Sequence, residues 1–168
     1  MSLDSRSFRK ALGCFASGVT VVTTLVPATK APVGVTVSAF SSLSLDPPLV
    51  LFCLGNGTSS MAAFKEFGHF AINILTETQR DLSIRFASRS EDKWQGVAWS
   101  AWNSGVPILP QCLASLECSL VEVLDGGDHQ IFVGRVEKMK HQEGGSPLLY
   151  FRGSYLDTAP HGAMTDVI

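Results

Sequence analysis

No segment of this chain is apolar for long enough to cross a bilayer. The longest strongly apolar run, Pro47-Pro48-Leu49-Val50-Leu51-Phe52-Cys53-Leu54, is far short of the roughly 20 residues a membrane helix needs. The N-terminal stretch mixes Asp4, Arg6, Arg9 and Lys10 with polar residues and shows no apolar segment followed by a cleavage site, so a cytoplasmic, reducing location is expected. Cys14, Cys53, Cys112 and Cys118 include no C-x-x-C pair and read as buried free thiols in such a compartment. His69, His129, His141 and His161 lack paired ligand spacing, which argues against a metal site. No Walker lysine follows a glycine-rich loop, and Ser41, Ser59 and Ser115 sit in no nucleophile elbow, which argues against P-loop and serine-hydrolase chemistry. Lysine and arginine are scattered and the net charge is −2, so there is no basic field for nucleic acid. Charge itself is scarce: 17% of residues are charged against 45% hydrophobic. So apolar a small protein is expected to cover part of its surface with a second subunit.

What is present, over 168 residues, is one domain's worth of chain able to bury a single core. Asp4 is placed to cap a helix whose apolar residues Phe8, Ala11, Leu12 and Phe15 share one face, with Gly18 expected to close it. The period then changes. Val19 to Leu25 alternates in a β-branched stretch, and further strands are predicted over Val33 to Phe40 and Leu49 to Leu54, separated by Asp46-Pro47-Pro48. The loop Gly55-Asn56-Gly57-Thr58 leads into a helix carrying Met61, Ala62, Phe64 and Phe67 that stops at Gly68. Phe70 to Leu75 reads as a strand, and Thr76-Glu77-Thr78-Gln79 has capping-box spacing ahead of a helix through Leu82, Arg85, Phe86 and Ala87. Residues 88 to 111, with Trp94, Trp99 and Trp102, read as an ordered loop with one short helix at most. Leu113 to Leu124 and Gln130 to Met139 form a hairpin around Asp125-Gly126-Gly127-Asp128, and Pro147 to Tyr155 supplies a last strand. Strands with isolated helices and no βαβ alternation predict a mainly β protein: an antiparallel, Greek-key-like barrel flanked by a few α-helices.

Gly55-x-Gly57-x-x-Ser60 follows an apolar strand and precedes a helix, an arrangement that presents backbone N–H groups to a phosphate. Serine at the third position, the missing parallel crossover and the motif's place a third of the way along weigh against a Rossmann domain. Thr58, Ser59 and Ser60 still suit an anion, and ordinary N-capping explains them equally well. In Thr36-Val37-Ser38-Ala39-Phe40-Ser41-Ser42, a plain strand end competes with a surface that lets a flat ring approach the backbone. His129 follows a hairpin turn with Asp128 placed to orient it, although a lone histidine there is more often a turn residue. The tryptophans read as core or interface filler, and Arg152 and Tyr155 suit either a phosphate or nicotinamide contact or a plain rim.

Together these segments resemble the flavin reductase-like family, whose fold is the FMN-binding split barrel. The resemblance is greatest to reductase components of two-component flavin monooxygenases. It rests on Phe8-Arg9 through Gly18-Val19-Thr20-Val21-Val22-Thr23-Thr24, on Phe40-Ser41-Ser42-Leu43-Ser44-Leu45-Asp46-Pro47-Pro48-Leu49-Val50, on Phe70-Ala71-Ile72-Asn73-Ile74-Leu75, on Gly127-Asp128-His129 and on the Pro147 to Tyr155 strand. It implies one domain over residues 1–168, with its core at about 8–156 and 157–168 as a C-terminal tail. It further implies that Val35, Thr36, Val37, Ser38, Ala39 and Phe40 line the isoalloxazine, with Cys53, Leu54 and Gly55 continuing that wall. Ser59, Ser60, Arg85 and Phe86 would hold the ribityl-phosphate end. His129 and Phe151, Arg152, Gly153, Ser154 and Tyr155 would face the nicotinamide, with His129 as the catalytic residue. The expected cofactors are FMN or FAD with NADH or NADPH. The expected partners are a second copy of the chain, as a homodimer, and a flavin-dependent monooxygenase. Two alternatives remain at this point: the same fold reducing cobalamin or ferric iron, and a non-enzymatic flavin- or haem-binding module.

Overall fold

A computed structural model describes residues 4–156, so the expected tail at 157–168 lies outside the described residues. The first element, α1 (Ser5–Leu12), is capped by Asp4, whose carboxylate accepts the N–H groups of Arg6 and Ser7. It ends at Gly13, not Gly18. Phe15 therefore lies past the helix and is exposed, and α1 itself buries no residue. Gly18 belongs instead to a short strand, β1 (Ser17–Gly18).

Seven strands form the main sheet, in the spatial order β3 (Pro32–Val37), β2 (Thr20–Leu25), β6 (His69–Ile74), β9 (Ala114–Gly126), β10 (His129–His141), β5 (Pro48–Gly55) and β4 (Phe40–Leu45). Every pairing is antiparallel. The two edge strands, β3 and β4, are consecutive in the chain and joined only by Ser38 and Ala39. A seven-stranded sheet whose opposite edges are tied so closely has to curl, and its interior fills with side chains. Phe52, Phe64, Phe70, Phe132, Ile72 and Val22 lie there, with Phe52 and Phe132 stacked at 4.9 Å. Gly134 is required by this packing, because a Cβ there would sit 2.2 Å from the Phe70 ring.

The stretch predicted as one strand from Val33 to Phe40 is two. The hydroxyl-rich segment breaks at Ser38-Ala39 and restarts as β4, whose alternation is masked by serine. β2 departs from its expected alternation for a different reason: all six of its residues are buried. Val22 points into the barrel while Val21 packs under α3 (Arg80–Ala87) with Leu75, Phe86 and Leu109. Its threonines tolerate burial because Thr20 donates to the Val37 carbonyl and Thr24 to that of His69. α2 (Met61–Phe67) ends at Gly68 with φ 77°, as its glycine predicts. The Thr76–Gln79 capping box is also present and opens a turn of 3-10 helix leading into α3.

Residues 88–111 form no helix. They contain two short paired strands, β7 (Ser100–Ala101) and β8 (Pro107–Ile108). The last predicted strand is a tight hairpin, β11 (Leu149–Phe151) and β12 (Ser154–Leu156), reversing at Arg152 (φ 48°) and Gly153 (φ 83°). Two successive positive φ values are the requirement of a two-residue turn matched to strand twist. Of the cysteines, all free, Cys112 and Cys118 are buried as expected, Cys53 is half-buried and Cys14 is exposed. Cys14 departs from expectation because α1 covers nothing.

Candidate active site

An open cleft of about 910 Å³ lies between the end of β5, the loop after it, β3 and the segment following α3. It gathers Val35, Gly55, Ser59, Ser60 and Phe86 from the expected cofactor set. Ordinary capping does not account for Ser60, whose side chain makes no bond to the helix it precedes. Gly34 on the cleft wall is obligatory, since a Cβ there would lie 2.5 Å from the Phe86 ring and 3.2 Å from Trp94. Gly57, on the opposite lip, has nothing within 4 Å of where its Cβ would be. The indole N–H of Trp94, also on the wall, is buried without a partner. A broad slot with glycines on its lips, serine and threonine beside them and an unpaired indole N–H in its wall fits a planar, heteroatom-edged ring carrying an anionic tail.

The hairpin β9–β10 brings His129 to this slot. Residue 129 pairs with Gly126 on one side and with Gly55 on the other, and its Nε2 lies 3.7 Å from where a Gly55 Cβ would be. Asn56 fastens the two pieces: its backbone N–H donates to the Asp128 carbonyl and its side-chain amide to that of Gly127, both at 2.9 Å. His129 Nδ1 meets the Asp128 carboxylate at 2.7 Å. The hydrogen bond and charge of His129 hold the Asp128 carboxyl below its ordinary range, with a further contribution from Arg9. An ionised Asp128 makes Nδ1 the donor, which leaves Nε2 for whatever occupies the cleft mouth.

Other expected residues are placed differently. Val37, Leu54 and Phe86 are buried, with the Phe86 ring in the cleft wall and edge-on to Trp94. Phe40 and Cys53 are half-buried, and burial pushes the Cys53 thiol up. Ser38 and Ala39 are exposed on the link, with the Ala39 carbonyl accepting from Cys53 N–H. The Thr36 hydroxyl is committed to the Ser83 carbonyl at 2.6 Å. Arg85 turns away from the cleft, donating to the Gln95 carbonyl. Cleft cations come instead from Arg89 and Lys93, which the sequence reading missed. Lys93 donates to the Phe86 carbonyl, and burial lowers its ammonium pKa. The Tyr155 hydroxyl is taken by Ser83 at 2.8 Å. Phe151 is half-buried beneath the Arg152 guanidinium, and Ser154 is exposed. Arg152 and Gly153 line a second cleft, of about 580 Å³, together with α1.

The flavin reductase like domain family matches residues 12–159. The chain belongs to that family. It is 43% identical over 159 residues to the flavin-dependent monooxygenase reductase subunit HsaB of Rhodococcus jostii, covering 95% of this chain and 80% of the relative. It is 44% identical over 152 residues to the FMN reductase (NADH) SmoA of Agrobacterium fabrum, covering 90% and 85%. Among solved structures, the NADH:FAD oxidoreductase SgcE6 of Streptomyces globisporus, in complex with NAD and FAD fragments, superposes with a TM-score of 0.88 at 32% identity, covering 97% and 99%. Another solved neighbour, from Sinorhizobium meliloti, is longer, and this chain spans 53% of it. The chain is thus an enzyme of the flavin reductase type, and the mainly β expectation holds. Among the described residues no cluster able to hold a metal is present, and no helix is long and apolar enough to cross a membrane.

In this reductase the signal for Asn56 was available, since it lies between the two glycines of the loop. Its partner hairpin is 71 residues away, so only the fold shows what it holds.

Proposed function

We propose that this reductase oxidises NADH or NADPH and delivers the electrons to FMN or FAD for use by a separate flavin-dependent monooxygenase. The observation that carries the reading is the Asp128–His129 pair, fastened by Asn56 to the lip of the slot. The flavin, when bound, supplies the redox chemistry by accepting hydride from the nicotinamide. Val35, Gly34 and Gly55 flank its ring, with Thr36, Val37, Ser38, Ala39, Phe40, Cys53 and Leu54 forming the strands behind and beside them. Ser59, Ser60, Arg89 and Lys93 hold the anionic tail, and Arg85 and Phe86 support that side from α3. His129, with Nδ1 committed to Asp128, presents Nε2 toward the nicotinamide amide or toward charge developing on the reduced ring. It is the residue we assign to catalysis, by positioning. Phe151, Arg152, Gly153, Ser154 and Tyr155 border the nicotinamide side. Orientation supplies the rate, with no covalent step on the protein.

The working unit is a homodimer. Phe8, Leu12 and Phe15 expose 51%, 58% and 83% of their surface and Leu45 exposes 95%, large apolar side chains that a partner subunit would take out of water. The whole chain acts as one domain, in the cytoplasm. Purified protein, supplied separately with FMN, FAD and riboflavin, should oxidise a pyridine nucleotide in a flavin-dependent way. Sedimentation should show a dimer. No turnover with any of the three flavins would overturn the reading. Turnover confined to cobalamin or ferric iron as acceptor would redirect it.

A further inference from the structure

The second cleft holds Arg6, Arg9 and Lys10 of α1, Cys14, and the Arg152-Gly153 turn. Four cations line it and no carboxylate does. Among the described residues none of the four is in an ion pair; the two present are His129–Asp128 and His141–Glu143. Asp4, the nearest acid in sequence, spends its carboxylate on capping the helix. The turn is fixed against α1 by Arg152 N–H donating to the Gly13 carbonyl at 2.9 Å. Its guanidinium is steadied by the Phe151 ring at 5.1 Å and by Cys14 Sγ at 3.7 Å. Like charges gathered on one wall with no close ion pair repel one another, and an anion relieves that repulsion.

The position of this cleft says which anion. His129 abuts Gly55 of the slot, and the charge of Arg9 on α1 is felt at the carboxylate of its partner Asp128. A ligand with its ring at His129 and the slot would run its tail toward α1. A pyridine dinucleotide has that shape, a ring at one end and a diphosphate next to it.

We propose that this basic cleft is the diphosphate subsite of the pyridine dinucleotide, with Arg6, Arg9 and Lys10 setting its affinity. The assignment rests on the reductase reading above. Interactions that hold a tail equally in ground and transition states act on KM, not on kcat. In Arg9→Gln/Lys10→Gln the KM for NADH should rise about tenfold, with the loss falling on KM. The KM for reduced nicotinamide mononucleotide, which lacks the diphosphate, should stay within about twofold of the original, and so should those for FMN and FAD. Arg9→Lys, which keeps the charge, should restore most of the affinity. Lys65→Gln, an exposed neutralisation away from both clefts, should change nothing. Inorganic pyrophosphate should compete with NADH and not with FMN, and its inhibition should weaken in the double variant and with added salt.

An NADH KM that moves less than about twofold in a folded double variant overturns the assignment. So does an equal loss with reduced nicotinamide mononucleotide, or a loss confined to FAD, which would give the cleft to the flavin's diphosphate. If no flavin supports turnover, the reductase reading fails separately. Calorimetric titration of NAD+ into both proteins then still decides the cleft, and equal affinities overturn it.

Discussion

The slot beside His129 and the basic cleft beside α1 are made in different ways. The slot's walls are strands and loops whose far sides are buried: Gly34 and Gly55 belong to β3 and β5, whose inward residues Val37, Phe52 and Leu54 pack in the aromatic core. The basic cleft is walled by a helix that buries nothing and by a three-residue-stranded hairpin. Geometry near the redox centre is therefore over-determined by the barrel. The charged wall is carried by an element the barrel does not need in order to fold, so charge there can change without disturbing the slot.

That contrast can be broken by substitutions in each region. Phe52→Ala removes the ring stacked on Phe132 and edge-on to Phe70 and Phe64. It should cost about 3–5 kcal/mol in denaturant unfolding, whereas Leu12→Ala on α1 should stay within about 0.5 kcal/mol for the monomer while weakening dimerisation. Comparable losses at both sites would remove the distinction. Gly34→Ala forces a methyl against Phe86 and Trp94 and should cost about 1–3 kcal/mol, with a change in tryptophan emission and weaker flavin binding. His129→Ala should lower kcat/KM about tenfold, the worth of one well-placed hydrogen bond, with flavin affinity unchanged. Full activity in that variant would remove its assigned role.

Asp128 should give a smaller effect. Its carboxyl pKa is depressed in the folded protein, so its pairing with His129 is complete above the ordinary carboxylate range and is lost only as pH falls through the depressed value. Asp128→Asn should leave the fold intact and cost activity about threefold, while making the acid limb of the wild-type profile disappear. Smallest of all are the thiols. Burial pushes Cys112 up to about 11 and Cys118 to about 12, so alkylation of native protein at neutral pH should label Cys14 first and leave those two unmodified until unfolding.

The elements that were legible in the sequence are those whose signals are local. The Gly126-Gly127 hairpin, the capping box at Thr76 and the stop at Gly68 all appear where their residues place them. β2 lost its alternation because both of its faces are covered, one by the barrel interior and one by α3, which no local period reports. β4 was hidden because serine on an exposed edge strand resembles a loop. In the site, the Gly-rich loop and His129 were visible separately, and the fold supplied the Asn56 bridge between them. Arg85 was expected at the slot, but the turn at the end of α3 sends it to Gln95 and brings Arg89 and Lys93 round instead.

The two-residue connection between β3 and β4 acts as a tether as well as a bend. Val37 and Phe40 are three Cα steps apart, so whatever happens elsewhere those points cannot separate by more than about 11 Å. Breathing of the seam is thus confined to its far end, near Pro32 and Leu45. Pro32, Val33 and Gly34 line the ring slot, so loosening of this wall is felt there while Val37 and Phe40 stay together.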